Sequence, residues 1–167
     1  AVIERINDMP GASEENYASL FNKRQKSAVR AIAAAKEYLP FTPAYPRGQL
    51  ALAVGSEGSV WRSLDGGYSF REEGSGTRND LEHVIMLQNG ARSAIASASE
   101  VLIDEHAHGQ WRALSFKTKG FERAALRRIE FGPEQRILAL DERCIFAEKI
   151  EERALVAIYC SETPLKD

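Results

Sequence analysis

The chain has 167 residues, of which 44% are hydrophobic and 28% are charged, which fits one globular domain and excludes a disordered or fibrous chain. Its formal net charge of -2 and its pI near 6.0 supply no basic field, so nucleic acid is not an expected partner. No apolar run reaches the roughly 20 residues that cross a bilayer, so no membrane span is predicted.

The N-terminal quarter of the chain has a helical pattern. Residues 27–39 combine strong helix formers with apolar side chains at i, i+3 spacing, which predicts a helix. Proline cannot continue a helix, and three prolines follow this stretch, which predicts an extended connector into the next region. They are Pro40, Pro43 and Pro46.

From Gly48 onward the hydrophobic period changes to two, which predicts short strands joined by tight turns. Similar runs return at intervals of about 40 residues, a spacing typical of propeller blades. Setting residues 55–61 over residues 96–102 brings Phe70 onto Trp111. The predicted blade-like units lie near 41–77, 82–118 and 124–160.

The predicted fold is mainly β with an N-terminal helix and about three four-stranded antiparallel blades, an incomplete propeller. The predicted division is a helical segment at 1–40, a β-blade domain at 41–160 and a C-terminal tail at 161–167. Two alternatives stay open. The hairpins are also compatible with an irregular β-sandwich, and residues 31–39 resemble residues 94–102, which would make them strands of a further blade.

One turn carries a specific motif of the form S-x-D-x-G-x-S/T-aromatic. Every pattern position is filled, by Ser63, Asp65, Gly67, Ser69 and Phe70. The segment resembles the Asp-box (bacterial neuraminidase) repeat of sialidase-like propellers, sortilin-type receptors and photosystem II assembly-factor propellers. It is most similar in style to the assembly factors, in which a Val-Gly-x-x-Gly turn precedes the box. The resemblance implies a structural staple without a catalytic role.

The motif also has a local physical meaning. The Asp65 carboxylate is suited to accept backbone N–H groups across its own turn, and Gly67 is suited to a positive φ. The hydroxyls of Ser63 and Ser69 are placed to tie the turn ends, and Phe70 to plug between neighbouring sheets.

The second unit contains candidate ligands for a metal ion. On a strand, Asp104, His106 and His108 would project to one face, and a His-x-His pair with a carboxylate begins a metal site. A third firm ligand is required, and nothing in the sequence places His83 nearby. The favoured interpretation is a solvated turn, with no cofactor.

The sequence contains no complete catalytic set. A sialidase-like hydrolase needs clustered arginines and a Tyr nucleophile with a carboxylate partner, and arginine number alone does not establish this. No Gly-x-Ser-x-Gly, Cys-x-x-Cys or His-Glu-x-x-His motif occurs. The prediction is a protein that is not an enzyme. The alternative is a truncated carbohydrate-active or metal-dependent hydrolase that uses Asp104, His106 and His108.

The expected function is protein binding through blade loops, as an assembly factor or an inhibitor or immunity-type protein. Aromatic and Arg side chains dominate interface hot spots, so the candidate contact residues are Tyr68, Arg71, Arg78 and Trp111. Open blade edges invite pairing, which favours a homodimer or another protein as partner. A third alternative is a fragment of a larger propeller.

The two cysteines, Cys144 and Cys160, flank a predicted turn around Glu151 and Glu152. An antiparallel hairpin there would place them opposite each other and permit a disulfide. The alternative is a pair of reduced, half-buried cysteines. A disulfide would favour a periplasmic or secreted location.

Overall fold

The computed structural model of the chain describes residues 29–35, 49–118 and 123–165. Within these ranges the chain forms three β-sheets of four, four and five strands. We call them sheet 1, sheet 2 and sheet 3 in chain order. The only helices in the described ranges are single 3₁₀ turns, at Ser56–Gly58, Pro133–Gln135 and Ile150–Glu152.

Sheet 1 is an antiparallel meander of four strands in sequence order. They are β1 (Val29–Ala34), β2 (Ala51–Gly55), β3 (Val60–Ser63) and β4 (Arg71–Glu73). All five residues of β2 are buried, because strands flank it on both sides and both of its faces are covered.

The helix predicted over residues 27–39 is wrong where the structure describes that segment. Residues 29–34 form β1, which pairs with β2 from Val29 opposite Gly55 to Ala34 opposite Ala51. Val29 and Ala31 are buried while Arg30 between them is exposed, a period of two. Helix propensity differs by at most about 0.7 kcal/mol between ordinary residues, so sheet pairing and burial override it.

This strand also shifts the first unit toward the N-terminus. The inner strand of the first unit begins at Val29, whereas the unit was predicted to start at residue 41. This strand therefore lies inside the segment 1–40 that was expected to be helical. The alternative prediction was right that this segment contains a β-strand. It was wrong about the place of the strand, because β1 belongs to sheet 1 and not to a further blade. The predicted proline connector and residues 36–39 lie outside the described residues.

Sheet 2 is a second four-stranded antiparallel meander. Its strands are β5 (His83–Met86), β6 (Ser93–Ala96), β7 (Val101–Asp104) and β8 (Arg112–Ala113). Both faces of its two middle strands, β6 and β7, are buried. Ile95 and Leu102 pack toward sheet 1, whereas Ala94 and Ile103 belong to the core that sheet 2 shares with sheet 3.

Sheet 3 repeats the meander and gains a fifth strand from the preceding unit. Its strand order is β10 (Arg128–Phe131), β11 (Ile137–Leu140), β12 (Cys144–Lys149), β13 (Ala154–Cys160) and β9 (Ser115–Lys117). β9 pairs parallel to β13, with Leu155 opposite Phe116. The chain therefore leaves sheet 2 by joining the outer edge of sheet 3, which connects the two sheets.

The three sheets stack as successive blades. The first strands of the units, β1, β5 and β10, are neighbours, and β5 contacts both of the others. Each sheet extends outward from this inner row, and the layers between sheets are filled by buried apolar side chains. The fold is therefore mainly β and propeller-like, with three blades in an open arc.

The last blade contains a covalent link between its two outermost meander strands. Cys144 on β12 lies opposite Cys160 on β13, their Cα atoms are 4.1 Å apart, and their sulfur atoms are bonded. The predicted hairpin turn is the 3₁₀ turn at Ile150–Glu152. No helix in the described parts of the chain has the length and apolar character that a membrane crossing requires.

Candidate functional site

Three turns carry most of the polar and charged side chains that could bind or react. All three lie on one side of the arc, where the third strand of each blade ends. Strand direction alternates within each blade, so the turns that follow the third strand of each unit lie at the same end. These third-strand turns are 64–70, 105–111 and 150–153. The first contains the predicted Asp-box.

The turn at 64–70, which was predicted to be an Asp-box, is closed by its own side chains. The Ser63 hydroxyl donates to Asp65 Oδ1 at 2.8 Å and accepts the Gly67 N–H at 2.8 Å. Asp65 accepts the Ser69 N–H at 2.9 Å on Oδ1 and the Ser69 hydroxyl at 2.6 Å on Oδ2. Gly66 and Gly67 have φ values of 75° and 92°, which side-chain-bearing residues rarely adopt. Both carboxylate oxygens are therefore engaged in holding the turn.

These bonds set the charge state of Asp65. Partial burial raises the pKa of its carboxyl, but the hydrogen bonds from Ser69 and Ser63 outweigh burial and hold the pKa below the ordinary 3.8. The carboxylate is thus kept ionised as a turn acceptor. Phe70, predicted to plug between sheets, is half-buried and belongs to neither core cluster of the described residues.

We expect the Asp65→Asn substitution to lower the free energy of unfolding by about 1 kcal/mol at neutral pH, a modest figure because the turn is partly exposed. A lowered folded-state pKa means that the unfolded chain binds the proton more readily. The stabilisation by Asp65 is therefore present above pH 3.8 and is lost as the pH falls through that value toward the lower folded-state pKa.

Urea unfolding from pH 7 to pH 3 measures this effect as the wild-type minus Asp65→Asn difference. The difference should shrink toward acid pH. Glu134→Gln, which changes a carboxyl on a side chain that is 76% exposed, serves as the control and should stay near the wild-type stability. A difference that is constant across the range would contradict a charged turn acceptor at Asp65.

In the second unit, Asp104 anchors the equivalent turn. It accepts the N–H groups of His108 at 3.2 Å and Gly109 at 2.9 Å. The bond from the His108 N–H to Asp104 joins residues i+4 and i, as does the bond from the Gly67 N–H to Ser63. When residues 55–61 are set over residues 96–102, Asp104 falls on Ser63. The turn geometry is retained although its residues have changed.

Asp104 is also part of a buried bridge between sheet 1 and sheet 2. Its side chain is 1% exposed, and Arg62 Nη2 donates to its Oδ2 at 2.7 Å. The guanidinium of Arg62 also donates to Glu73 at 2.6 Å, and the Trp111 indole N–H donates to the same carboxylate at 2.6 Å. This Glu73–Arg62–Asp104 bridge joins β3 and β4 to β7.

A second bridge, which the sequence did not predict, joins sheet 2 to sheet 3. The Arg92 guanidinium donates to Glu148 and, at 3.0 Å, to Glu105. Glu148 is 2% exposed and also accepts the Ile137 N–H at 3.0 Å. Its hydrogen bond raises the pKa of Arg92 above the ordinary value, against the lowering effect of burial. One signal was available, because a period of two places Glu148 on the buried face of β12 with Phe146.

The weak metal candidates are not arranged as a ligand set. Asp104 points into the bridge to Arg62, and the rings of His106 and His108 lie with their centroids 5.8 Å apart in the turn above it. In residues 29–35, 49–118 and 123–165, no group of three His, Cys, Asp or Glu side chains is placed to hold a metal ion. The described geometry therefore gives the metal-dependent alternative no support.

A recess runs along the third-strand turns of the second and third units. Two adjoining cavities of about 340 and 420 Å³ share Glu105, His106 and Arg112 in their walls. The rest of the wall includes Gln110, Ile150 and Arg153. We call these six residues the interblade groove. Its lining mixes both signs of charge with Ile150, an apolar side chain that is 53% exposed.

The predicted contact residues are divided between different parts of the surface. Tyr68 is 45% exposed in the turn at 64–70, at the same end as the interblade groove, and Arg71 is exposed at the start of β4. Arg78 is exposed beyond the other end of β4. Trp111 is half-buried and bonded to Glu73. The four residues therefore do not form one patch.

The loop that carries Arg78 is fastened to the turns beneath it. The Ser75 hydroxyl donates to the Gly58 carbonyl at 2.7 Å, and Asn79 Nδ2 donates to Glu100 at 2.9 Å. Thr77 also bonds Glu100. These contacts cross from sheet 1 to sheet 2, so the loop acts as a structural connection between blades.

Solved structures similar to this chain are β-propellers. The WD40 propeller domain of Doa1 matches with a TM-score of 0.52 and 11% identity, over 77% of this chain and 39% of that chain. An ancestral GH74 enzyme matches with a TM-score of 0.51 and 10% identity, over 77% of this chain and 18% of that chain. YCF48 from Cyanidioschyzon merolae matches with a TM-score of 0.49 and 11% identity, over 67% of this chain and 41% of that chain.

The matches to the Doa1 domain and to the GH74 enzyme establish the fold alone. The chain spans less than half the length of each of these propellers. No protein-family model matches the chain, and no curated protein matches it.

Proposed function

We propose that this chain is a non-enzymatic protein-binding module whose contact surface is the interblade groove together with Tyr68. The observation that carries the proposal is the contrast between the accessible side chains of the groove and its buried carboxylates. The groove is open, charged and partly apolar, whereas the carboxylates of Asp104 and Glu148 in its wall, and of Asp65 in the neighbouring turn, are all committed to turns or bridges. The assembly-factor and inhibitor roles suggested by the Asp-box resemblance are two forms of this function.

The groove suits a protein partner for three reasons. Its polar side chains stand on turns that two buried bridges hold rigid, and a rigid surface binds at a lower entropic cost. Glu105, Arg112 and Arg153 offer both signs of charge to a polar rim. Ile150, with its exposed side chain, supplies the apolar centre that interface hot spots need.

The hydrolase alternative has less support. A glycosidase requires two carboxyl groups free to face the sugar, and the most buried carboxylates of this end are ion-paired or bonded to turn amides. The similarity to a GH74 enzyme concerns the fold. The disulfide favours an oxidising location, which we propose as periplasmic or secreted.

Site-specific photocrosslinking in an extract of the source organism tests the proposal. A photoreactive residue at Gln110 or Ile150, in the groove, should capture one defined protein, while the same residue at Asn89, which is exposed but does not line the groove, should not. Excess unlabelled wild-type protein should abolish the adduct. Excess Ile150→Asp/Arg112→Glu protein should compete at least 10-fold less well, because it loses two interface contacts. Equal capture at Asn89, or equal competition by the double variant, would overturn the proposal.

A further inference from the structure

Among the described residues, no sheet packs on the side of sheet 3 that points away from sheet 2, and this side carries partly buried and exposed apolar residues. On β12, Phe146 and Glu148 are buried toward sheet 2, so Ile145 and Ala147 point the other way and are only partly buried. Residues directly opposite in antiparallel pairs share a face, which extends this surface across the sheet. We call it the outer face of sheet 3; its large apolar residues are Leu138, Leu140, Ile145, Val156, Ile158 and Tyr159.

These side chains do not contribute to either core cluster of the described residues. Ile158 is 61% exposed and Tyr159 is 54% exposed. Ile158 is the extra residue where the register shifts between β12 and β13, so it stands beside Tyr159 on the exposed side. A contiguous apolar surface of this kind on a folded domain marks a site of association.

Sheet 1, the blade at the other end of the row, offers no matching apolar surface among the described residues. On sheet 1, Leu52 and Val60 point toward sheet 2, so Ala53 and Trp61 point away from it, and both are buried. A head-to-tail contact between sheet 3 of one molecule and sheet 1 of the next would therefore meet a covered face. The remaining closed arrangement brings two identical outer faces together about a two-fold axis.

The strand register makes the outer face complementary to itself. One row across the sheet consists of Arg128, Leu140, Ile145 and Tyr159; the next consists of Glu130, Leu138, Ala147 and Val156. A two-fold axis that runs across the strands between these rows sets the first row of one copy opposite the second row of the other.

In that arrangement, charge and size both match. Arg128 of one copy lies opposite Glu130 of the second copy, and the pairing occurs twice because of the symmetry. Ile145 lies opposite Ala147, and Tyr159 opposite Val156, so large side chains face smaller ones, as in interdigitated sheet packing. The exposed ion pair between Arg128 and Glu130 within one molecule leaves both side chains accessible, at 61% and 42%.

We infer that this chain forms a symmetric homodimer through the outer face of sheet 3. Four strands at a spacing of about 4.8 Å and a length of about 20 Å give a contact roughly 20 Å square. This is below the size of a standard stable interface, about 800 Å² per partner. We therefore expect a weak, reversible dimer with a Kd on the order of micromolar.

Sedimentation velocity between roughly 1 and 500 µM, a range that brackets a micromolar Kd, tests the dimer. The wild-type protein should shift from monomer to dimer across this range. Ile158→Lys should weaken dimerisation at least 10-fold, because it buries a charge in an apolar contact. Gln88→Lys is the matched control: it adds the same charge at an exposed, uncharged side chain outside both the outer face and the interblade groove, and it should leave the Kd unchanged.

A charge reversal tests the symmetry itself. Arg128→Glu should weaken the dimer about 10-fold by placing like charges opposite each other twice, and the added Glu130→Arg change should restore it. Circular dichroism of each variant establishes that it is folded. A wild-type monomer at every concentration, equal effects of Ile158→Lys and Gln88→Lys, or assemblies larger than a dimer would overturn the inference. The outer face is separate from the interblade groove, so photocrosslinking from Gln110 tests the proposed function independently.

Discussion

Replacing Arg62 with Met is expected to lower the free energy of unfolding by about 3–5 kcal/mol, the usual result of removing one partner from a buried ion pair. Arg62 is 8% exposed and Asp104 is 1% exposed, and the two side chains meet at 2.7 Å between sheet 1 and sheet 2. Without the guanidinium, the buried carboxylate of Asp104 loses its cation, and Glu73 loses its ion-pair partner as well. Urea or guanidinium unfolding measures the change.

Two further variants establish the cause. Arg30→Met removes an arginine that is 40% exposed and paired with Asp80 and Glu82, and should cost no more than about 1 kcal/mol. In the double variant Arg62→Met/Asp104→Asn the buried charge is gone while a side-chain oxygen remains to accept a turn N–H, so part of the lost stability should return. An Arg62→Met loss as small as that of Arg30→Met would contradict a buried bridge between the blades.

Reduction of the Cys144–Cys160 bond is expected to lower the free energy of unfolding by about 3 kcal/mol, the chain-entropy value for a short loop. The two residues are 16 positions apart, and the bond joins β12 to β13 at the end of the hairpin opposite its turn, where Cys144 is part of the core. Guanidinium unfolding of the wild-type protein with and without a reducing agent measures the effect.

The Cys144→Ala/Cys160→Ala variant is the control, because its unfolding midpoint should not respond to the reducing agent. Its stability should also lie close to that of the reduced wild-type protein. Thiol alkylation with mass measurement gives an independent reading: the oxidised, unfolded wild-type protein should take up no label. Two labelled cysteines in protein isolated from its native location would contradict the disulfide there.

The number of blades and their approximate spacing followed from the sequence because they depend on local signals. Strands β5 and β10 were recognisable as alternating runs that end at Gly90 and Gly132, and Gly90 has a positive φ of 74°. The hairpin between β12 and β13 was likewise local, and its register brings Cys144 opposite Cys160. Features that depend on turn residues and a period of two can be predicted from one sequence.

The inner strand of sheet 1 could not be predicted in the same way. Its sequence, Val29–Ala34, is rich in alanine, which favours a helix in isolation. The strand exists because Ala31 packs with Leu52 and Val54 against sheet 2. Such a contact joins residues far apart in sequence, and a local pattern contains no information about it.

The interblade bridges and the interblade groove escaped prediction for a related reason. Arg62 and Asp104 belong to different units, and each alone looks like an ordinary charged residue near a strand end. Similarly, β9 was expected to complete its own blade, yet Ser115–Lys117 pairs with β13 of the next one. The candidate site is built from contacts between units, so only the folded structure assembles it.

The central claim is that three successive antiparallel sheets form the core of this chain, with Val29–Ala34 as the inner strand of the first. Amide hydrogen exchange followed by NMR tests it most directly, because protection is greatest in strands flanked on both sides. Slow exchange is expected in β2, β6 and β11, with inter-strand NOEs from Ala33 to Leu52 and from Ile95 to Leu102. Helical sequential NOEs over residues 29–34, or no protection in β11, would contradict the account.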